Sequence, residues 1–476
     1  MDRRADSFCV DRELPPRLKQ NWCMKSPPAP ELLQEMAGSR HKQRRQLRDL
    51  RLPAPSPGDP PAGLDPAVGA DAGAALVRAA DLTGSLIQYR HQGFLPNARQ
   101  HRMAGLAAIE MAQAVRGLVA DALAGTPTTV PDAGASGGGP GRRDPRGRHA
   151  FGWRDLVDIA VRWRQVSEPN DQVVWADLLA SEEFEAGFGS HTPMYTGQTK
   201  CVRYYFWAER ALELMKACAM EDGGTNKADN CHVPVEGIVR ERFAAAATPQ
   251  EVWEAAGDDC WNVVRVASTH RPGRTLEGTR LTVVRVPHVP DGFEFSIRTP
   301  VTPGRWAEFD AELRACFDAV VRALCRLEGH RGPGGLADDA PEDAQRECAE
   351  AILLFAFYWY NFMPLVRGTA VVGYVTILGL FLAAGLPVGR YMPADEQTDW
   401  EAILERDPRG FLRAVGERWL YPPALGPRET PGEGEVAAGA RDVDPDALPR
   451  VSEAFPTVRS RILTLSAAYG DAPGGP

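Results

Sequence analysis

The stretch YNFMPLVRGTAVVGYVTILGLFLAAGLP (residues 360–387) is the most apolar part of this sequence, and its interpretation decides the fold. With the apolar residues that precede it, the run 351–385 is long enough to cross a bilayer. Pro364 interrupts this run, however, and Arg367 would place a charge in the lipid. We therefore predict two buried core helices. Because a buried charge needs a partner, we expect Arg367 and Asn361 to be paired inside the protein.

The two predicted core helices cover residues 344–362 and 368–384. Helices that are apolar on all sides belong in the centre of a large helical bundle. Elsewhere the apolar residues recur mostly at helical spacing. The exceptions are LTVVRV (residues 281–286) and FEFSIRT (residues 293–299), which alternate as strands do. The predicted fold class is therefore mainly α: a large helical domain with one β-hairpin.

Composition suggests where this domain begins and ends. Residues 1–80 are basic and rich in proline, and we expect them to be disordered. The helical globular domain is predicted to span 81–421, with a Gly/Arg-rich disordered insertion at 126–149. Residues 422–476 are expected to form a mostly loose tail.

Charge and cysteine usage limit the function classes. The net charge of -9 over 476 residues argues against broad nucleic-acid binding, which requires a basic surface. The nine cysteines include no CxxC pair, so we expect reduced thiols and no metal site. Five tryptophans are predicted to pack in the core and not to form a stacking platform for bases: Trp153, Trp163, Trp175, Trp207 and Trp359.

The order of elements between residues 277 and 389 resembles the Fic family of nucleotidyltransferases, whose signature is His-Pro-Phe, two residues, then Gly-Asn-Gly-Arg. Pro364 and Gly368 match this motif. The general base of the family would fall on Met363, which cannot accept a proton. The phosphate-binding positions would fall on Thr369, Ala370 and Val371, where valine replaces an arginine. The resemblance implies a degenerate Fic-like core with a flap formed by the hairpin.

A helix that starts at Gly368 still offers backbone N–H groups to an anion. Four residues form the candidate anion pocket, with Arg280 and Arg305 expected nearby: Arg298, Arg367, Gly368 and Thr369. Arginines in such positions also serve to satisfy carboxylates such as Asp310 or Glu312, and the sequence leaves both interpretations open.

Seven phrases carry a second resemblance. They are QGFLPNARQHRMAGLAAIEMAQ, WRQVSEPNDQVVWADLL, GFGSHTPMYTGQTKCVRYY, LEGTRLTVV, FSIRTPVTPGRWAEFDAEL, FYWYNFMPLVRGTAVVGYVTILGLFLAAG, and DWEAILERDP followed by WLYP. In this order, over about residues 86–421, they resemble the C-terminal region of the tetratricopeptide repeat protein 13 family, which includes the plant suppressor of effector-triggered immunity.

This second resemblance implies an adaptor or regulatory scaffold of the cytoplasm and nucleus. Its expected partners are signalling, co-chaperone or transcription-related proteins. The family supplies no catalytic residue and no cofactor to carry over. Its members carry helical repeats ahead of this region, whereas residues 1–81 are too short for a repeat array. The chain is therefore expected to be a fragment or to have lost the array.

The predicted function is a non-enzymatic adaptor that mediates protein–protein interactions, without cofactor, metal or nucleic acid. One alternative is a divergent Fic-like nucleotide-binding or nucleotidyltransferase domain. The other is a protein anchored in a membrane through residues 351–385. The length-and-charge argument makes this membrane alternative the weaker one.

Overall fold

In the computed structural model, the described residues are 59–87, 98–126, 129–131, 148–167, 173–178, 192–197, 199–200, 204, 206–227, 231–287, 292–298, 305–331, 340–386, 388, 391–393, 396–421 and 443–468. These ranges contain both predicted core helices and the strands of the predicted hairpin. Residues 1–58, from the segment predicted to be disordered, and residues 422–442, from the tail predicted to be mostly loose, lie outside them.

Helices make up most of the described structure. In chain order they are α1 (Ala70–Ser85), α2 (Ala98–Leu123), α3 (Trp153–Ser167), α4 (Ala208–Glu221), α5 (Gly237–Ala245), α6 (Pro249–Ala256), α7 (Trp306–Arg331), α8 (Glu342–Phe362), α9 (Thr369–Ala383), α10 (Thr398–Glu405), α11 (Pro408–Phe411), α12 (Val451–Ala454) and α13 (Val458–Ala467). A π-helical stretch, Leu412–Leu420, follows α11. Short 3-10 turns cover Pro66–Val68 and Ala176–Leu178.

Strands form two antiparallel sheets. In chain order they are β1 (Thr129–Pro131), β2 (Arg148–Ala150), β3 (Thr192–Thr196), β4 (Thr199–Lys200), β5 (Gly224–Lys227), β6 (His232–Pro234), β7 (Cys260–Ala267), β8 (Thr275–Arg285) and β9 (Phe293–Arg298). Strands β1 and β2 pair with each other. The other seven described strands form one sheet in the order β4-β3-β9-β8-β7-β5-β6.

Helix α9 lies at the centre of the helical part. Residues 372–381 are all buried. Among them, the hydroxyl of Thr376 donates to the Val372 carbonyl of the same helix at 2.8 Å. Helices α2 and α8 pack against α9, and their apolar residues join the same core. The two predicted core helices are therefore present, with bounds close to those expected from the sequence.

The backbones of helices α1 and α2 approach each other unusually closely where the two helices cross. A Cβ atom on Gly105 of α2 would overlap the carbonyl oxygen of Ala80 in α1. On α1, a Cβ atom on Gly84 would overlap the carbonyl oxygen of His101. Across this contact the buried Arg102 donates to both carboxylate oxygens of Asp81, at 2.8 and 2.6 Å. The reciprocal glycines allow backbone to touch backbone.

The seven-stranded sheet packs one face on helices. Leu281, Val283, Phe295 and Ile297 join a second core with residues of α4, α6 and α10. The sheet meets the central helices at Gly278, where an added Cβ would lie 3.2 Å from the Oδ1 atom of Asn361 in α8. The amide nitrogen of Asn361 donates to the carbonyls of Phe357 and Ala402, both at 3.0 Å, so it joins α8 to α10 at this junction.

Several sequence predictions need correction. The predicted hairpin is present as β8 and β9, but a single hairpin is wrong because these strands lie inside a sheet of seven among the described residues. Strands β3 to β6 are only two to five residues long, so their alternation is weak in the sequence. Strand β7 is longer, and the sequence prediction did not assign it to a strand. The ordered core also extends past its predicted limits of 81 and 421, because Leu76 of α1 and Val451 of α12 are buried in it.

The ends of the predicted insertion at 126–149 are held together by β1 and β2, while residues 132–147 lie outside the described part. Arg367 is exposed, so the expectation that it would be buried is wrong. Asn361, by contrast, is fully buried and hydrogen-bonded as expected.

One helix in the described part, α2, has both the length and the mean hydropathy of a membrane-spanning segment. Of its apolar window, 67% is buried inside the structure, and core helices commonly meet the same criteria. Helix α9 is apolar but shorter than that length. The burial of these helices is explained by the packing described above.

The α1–α2 crossing gives the first prediction. Gly105→Ala should lower the free energy of unfolding by about 3 kcal/mol or more, because the added methyl overlaps backbone that cannot rotate away. Gly117→Ala on the same helix is the matched control: its Cβ would meet nothing within 4 Å, and alanine should stabilise the helix by up to about 1 kcal/mol. Urea unfolding of both variants measures the difference. Equal stabilities would contradict the backbone contact.

Candidate functional site

The turn between α8 and α9 is built on two left-handed residues. Met363 ends α8 with φ 44°, and its N–H donates to the Trp359 carbonyl at 3.1 Å. Gly368 precedes α9 with φ 86°, a conformation that glycine adopts without steric cost. Pro364 stands directly after the end of α8, where proline cannot extend a helix. The motif that suggested a Fic-like site therefore has an architectural role in reversing the chain.

A short segment, residues 173–178, clasps this turn. The N–H of Val366 donates to the Val174 carbonyl, and the N–H of Ala176 donates to the Pro364 carbonyl, both at 3.0 Å. Between these bonds Trp175 faces Leu365 as an isolated antiparallel bridge. The indole of Trp175 packs edge-on against Trp153 and Trp359, at centroid distances of 5.8 and 6.0 Å. All five predicted core tryptophans are buried.

Arg154 fixes the outer side of this clasp. Its guanidinium lies 4.5 Å from the ring centroid of Trp175 and 5.4 Å from that of Trp306. It also donates to both carboxylate oxygens of Asp177, at 2.7 and 3.0 Å. An arginine that stacks on aromatic rings and forms a bidentate ion pair holds one geometry. These contacts make the clasp rigid.

The residues of the predicted anion pocket lie in two different places in the fold. Arg367, Gly368 and Thr369 lie at the start of α9, where the Thr369 side chain is buried with its hydroxyl 3.5 Å from the Leu365 carbonyl. Arg298 lies on β9 at the register position opposite Arg280 of β8. The side chain of Arg298 lies outside the description.

The arginines expected nearby have other partners than those considered from the sequence. Arg305 pairs with Glu277, and Arg280 lies over the ring of Trp261 at 4.2 Å. Asp310 instead accepts from the indole of Trp153 at 2.9 Å and from Arg314 at 2.6 Å. Arg305 therefore satisfies a carboxylate, as one interpretation of the sequence expected, but this carboxylate is Glu277 and not Asp310 or Glu312.

Glu312 holds the turn between β7 and β8. Its buried carboxylate accepts from the Ser268 hydroxyl at 2.6 Å, from the Thr269 N–H at 3.0 Å and from the His270 N–H at 3.1 Å. Tyr358 of α8 donates to the Ala267 carbonyl at 2.6 Å in the same turn. A buried carboxylate is stable when such donors replace its water. Glu312 thus attaches the sheet to α7, and Tyr358 attaches it to α8.

The start of α10 is rich in buried polar groups. Glu401 accepts from the Trp207 indole at 3.0 Å and forms a bidentate pair with Arg210, at 2.8 and 2.9 Å. Burial raises the pKa of the neighbouring Asp399 carboxyl to about 7, although the Gln397 side chain and nearby backbone N–H groups act to lower this pKa. The Oδ1 atom of Asp399 is buried and accepts no hydrogen bond within the described structure.

The second face of the large sheet carries polar groups that the sequence prediction missed. Trp261, Thr282 and Ser296 occupy one cross-strand row on β7, β8 and β9. Their signal in the sequence is the alternation in LTVV and FSI, where Thr282 and Ser296 fall between core residues. Among the described residues, no three His, Cys, Asp or Glu side chains form a group that could hold a metal ion.

The geometry at the start of α9 gives a prediction about nucleotides. Because the Thr369 hydroxyl is turned into the structure and the side chains of Val173 and Arg164 approach Gly368, we expect no Mg-ATP binding that depends on this turn. Calorimetry on the full chain and on Arg367→Ala measures it. ATP binding by the wild type that is lost in Arg367→Ala would contradict this expectation and support the Fic-like alternative.

The Asp399 carboxyl gives a prediction about pH. The folded protein keeps this proton up to about pH 7, whereas the unfolded chain releases it near the ordinary pKa of 3.8. The protonated carboxyl therefore stabilises the fold at low pH, and that contribution is lost as the pH rises towards 7. Asp399→Asn should be more stable than the wild type at pH 8 and equally stable at pH 4.

Thermal unfolding between pH 4 and pH 8 measures this difference. Asp407→Asn is the control, because Asp407 is an exposed carboxyl that caps the next helix and asparagine caps equally well. A stability difference between wild type and Asp399→Asn that does not change with pH would show that the carboxyl is not the titrating group.

Comparison with known proteins places the chain in a family. No protein-family model matches it. Suppressor of RPS4-RLD 1 from Arabidopsis thaliana is 36% identical over 445 residues, an alignment that covers 87% of this chain and 40% of the relative. Tetratricopeptide repeat protein 13 from Homo sapiens is 28% identical over 356 residues, covering 74% of this chain and 38% of the relative. The chain thus spans about two-fifths of the length of these curated relatives. It belongs to the tetratricopeptide repeat protein 13-like family.

Proposed function

We propose that this chain is a non-enzymatic interaction module of a regulatory protein. The observation that carries the proposal is the alignment over 87% of the chain with a plant protein named as a suppressor. The word suppressor in the name of the plant relative describes a regulatory role. The human relative is named for tetratricopeptide repeats, whose stacked helices commonly form binding surfaces. The proposal extends to the adaptor role, to signalling, co-chaperone or transcription-related partners, and to action in cytoplasm and nucleus.

The described fold supports this proposal by its rigidity. The ion pairs of Arg102, Arg154 and Arg210, together with the buried carboxylate of Glu312, connect helices and sheet to one another. A body held in this way can present surface groups at fixed positions, which lowers the entropy cost of binding. The net charge of -9 favours protein partners over nucleic acid.

The corner formed by β6 and α5 is the surface that suits a partner best. Between residues 231 and 245, only Val235 and Phe243 are buried. Val233 is 39% exposed and Ile238 is 61% exposed, on either side of the Val235 anchor. Two exposed aliphatic side chains five positions apart in the chain, at the edge of the sheet, offer an apolar contact for a partner.

The backbone of β6 adds hydrogen-bonding groups to this corner. Strand β6 is an edge strand of the sheet. The backbone groups of residues 231 and 235 point towards β5, because Lys227 N–H donates to the Cys231 carbonyl and Val235 N–H donates to the Gly223 carbonyl. The alternation of an antiparallel strand then turns the N–H and C=O of His232 away from β5. Pro234 has no N–H, which limits pairing to a short segment. We propose that a partner adds a short extended segment here.

The test is a substitution of the two exposed side chains. Val233→Asp with Ile238→Asp should remove at least one protein from the set that co-purifies quantitatively with the full chain, because charge in the contact cannot be paired. Val458→Asp with Ile462→Asp is the matched control, since these aliphatic residues are 65% and 43% exposed on α13 and lie outside the corner.

Circular dichroism and the unfolding midpoint establish that both double variants remain folded. A partner set that is the same for wild type, corner variant and control would contradict the corner as an interface. If no protein co-purifies with the wild-type chain at a stoichiometric level, the interaction-module proposal itself fails.

A further inference from the structure

We propose that the turn between β7 and β8, residues 268–274, is a rigid basic contact for a short acidic segment of a partner protein. These residues, STHRPGR, are called the basic turn below. The basic turn is separate from the β6–α5 corner. The proposal rests on the role as an interaction module, but its test uses synthetic peptides, so the two can fail independently.

The basic turn is longer than its connection requires. It joins two antiparallel strands, for which a turn of about two residues commonly suffices. Its backbone closes on itself, because the N–H of Ser268 donates to the Arg274 carbonyl at 2.8 Å and the N–H of Arg274 donates to the Arg271 carbonyl at 3.0 Å. Gly273 takes the left-handed conformation between them, with φ 81°. The turn is therefore a folded projection from the sheet.

Two buried side chains hold the basic turn from the helical side. The carboxylate of Glu312 in α7 is 2% exposed and accepts from backbone and hydroxyl donors of residues 268–270. Tyr358 of α8 donates to the Ala267 carbonyl at 2.6 Å and accepts from the Thr269 N–H at 2.8 Å. Burying a carboxylate costs free energy that its hydrogen bonds must offset. The fold thus uses a buried charge to fix the backbone of a surface turn.

The groups that the basic turn presents are positively charged or can become so. His270 and Arg274 are exposed, Arg271 is partly buried, and the turn contains no acidic residue. Within the described part of the chain, the side chains of His270 and Arg271 form no hydrogen bond or ion pair. Both are therefore available to a partner.

Arg274 shows which kind of group the turn binds. It pairs with Glu308 of α7, and the two side chains are 47% and 35% exposed. A salt bridge this exposed contributes little to stability. A carboxylate of a partner can therefore replace Glu308 at low cost, while Arg271 takes a second carboxylate.

The donors define the class of partner. The planar guanidinium group of arginine matches a carboxylate through two parallel N–H···O bonds. The turn has no Phe, Tyr or Trp on which a base could stack, and the net charge of -9 repels a long polyanion such as nucleic acid. A short run of glutamates or aspartates needs only the local charge of the turn. Because the backbone that carries the arginines is already fixed, binding costs little conformational entropy.

The test adds the full chain to a fluorescently labelled oligoglutamate peptide and follows the fluorescence anisotropy at low salt. Arg271→Gln with Arg274→Gln should weaken binding at least about fivefold, because both charged donors are lost. Arg314→Gln with Arg322→Gln is the matched control, since it removes two exposed arginines of α7 that lie outside the turn. The control should leave binding unchanged, and an oligoglutamine peptide should not bind.

The variant Glu312→Gln separates a fixed turn from a merely charged one. If local charge alone attracts the peptide, removing the buried negative charge strengthens binding. Under the proposal it weakens binding several-fold, because the turn loses the acceptor that fixes its backbone. Tyr358→Phe repeats this test without a change of charge, should Glu312→Gln fail to fold. Circular dichroism and the unfolding midpoint establish which variants are folded.

Absence of oligoglutamate binding by the wild type, or equal binding by the two arginine double variants, would overturn the proposal. Stronger binding by Glu312→Gln, or unchanged binding by Tyr358→Phe, would overturn the fixed geometry on which it depends. Tighter binding of an oligothymidylate of the same length would assign the turn to nucleic acid and overturn the acidic protein segment as its partner.

Discussion

The burial of α9 along nearly its whole length is the constraint on which the rest of the structure depends. A helix without a polar face is stable in water only when other elements cover it on every side. Helices α2 and α8 supply two of these sides, and the π-helical stretch contributes Trp419, whose ring lies 6.4 Å from that of Tyr374. The elements that surround α9 come from residues far apart in the chain. The core around α9 is therefore formed by contacts between residues that are distant in sequence.

Polar groups placed inside the protein specify how these elements are arranged. Asn361 joins α8 to α10, Glu312 joins α7 to the sheet, and Glu401 joins α10 to α4. Each of these groups would cost free energy if its neighbour moved, because a buried donor or acceptor would lose its partner. Apolar packing supplies most of the stability of such a body, while these few contacts exclude other packings of the same helices.

In the turn between α8 and α9, the backbone and side chains are used by the clasp, so its resemblance to a nucleotide-binding motif is explained by chain reversal. On the second face of the sheet, Thr282 and Ser296 are as well buried as any core residue and still lack partners. At the β6–α5 corner, the aliphatic side chains of Val233 and Ile238 stay exposed.

The sequence by itself determined the helical class, the two core helices, the hairpin of β8 and β9, and the family, because these depend on local periodicity and on long ordered phrases. It did not determine the sheet around the hairpin, since β5 and β6 are three or four residues long and carry no alternating pattern. The sequence prediction placed Arg298 and Arg367 in one pocket because the Fic-like order of elements puts the hairpin beside the turn at Pro364 and Gly368. Only the tertiary structure decided that Arg298 lies at the register position opposite Arg280 on the neighbouring strand, while Arg367 lies exposed at the end of a turn. The physical reason is that strand register and the burial of polar side chains are set by contacts between residues distant in sequence, which local patterns do not encode.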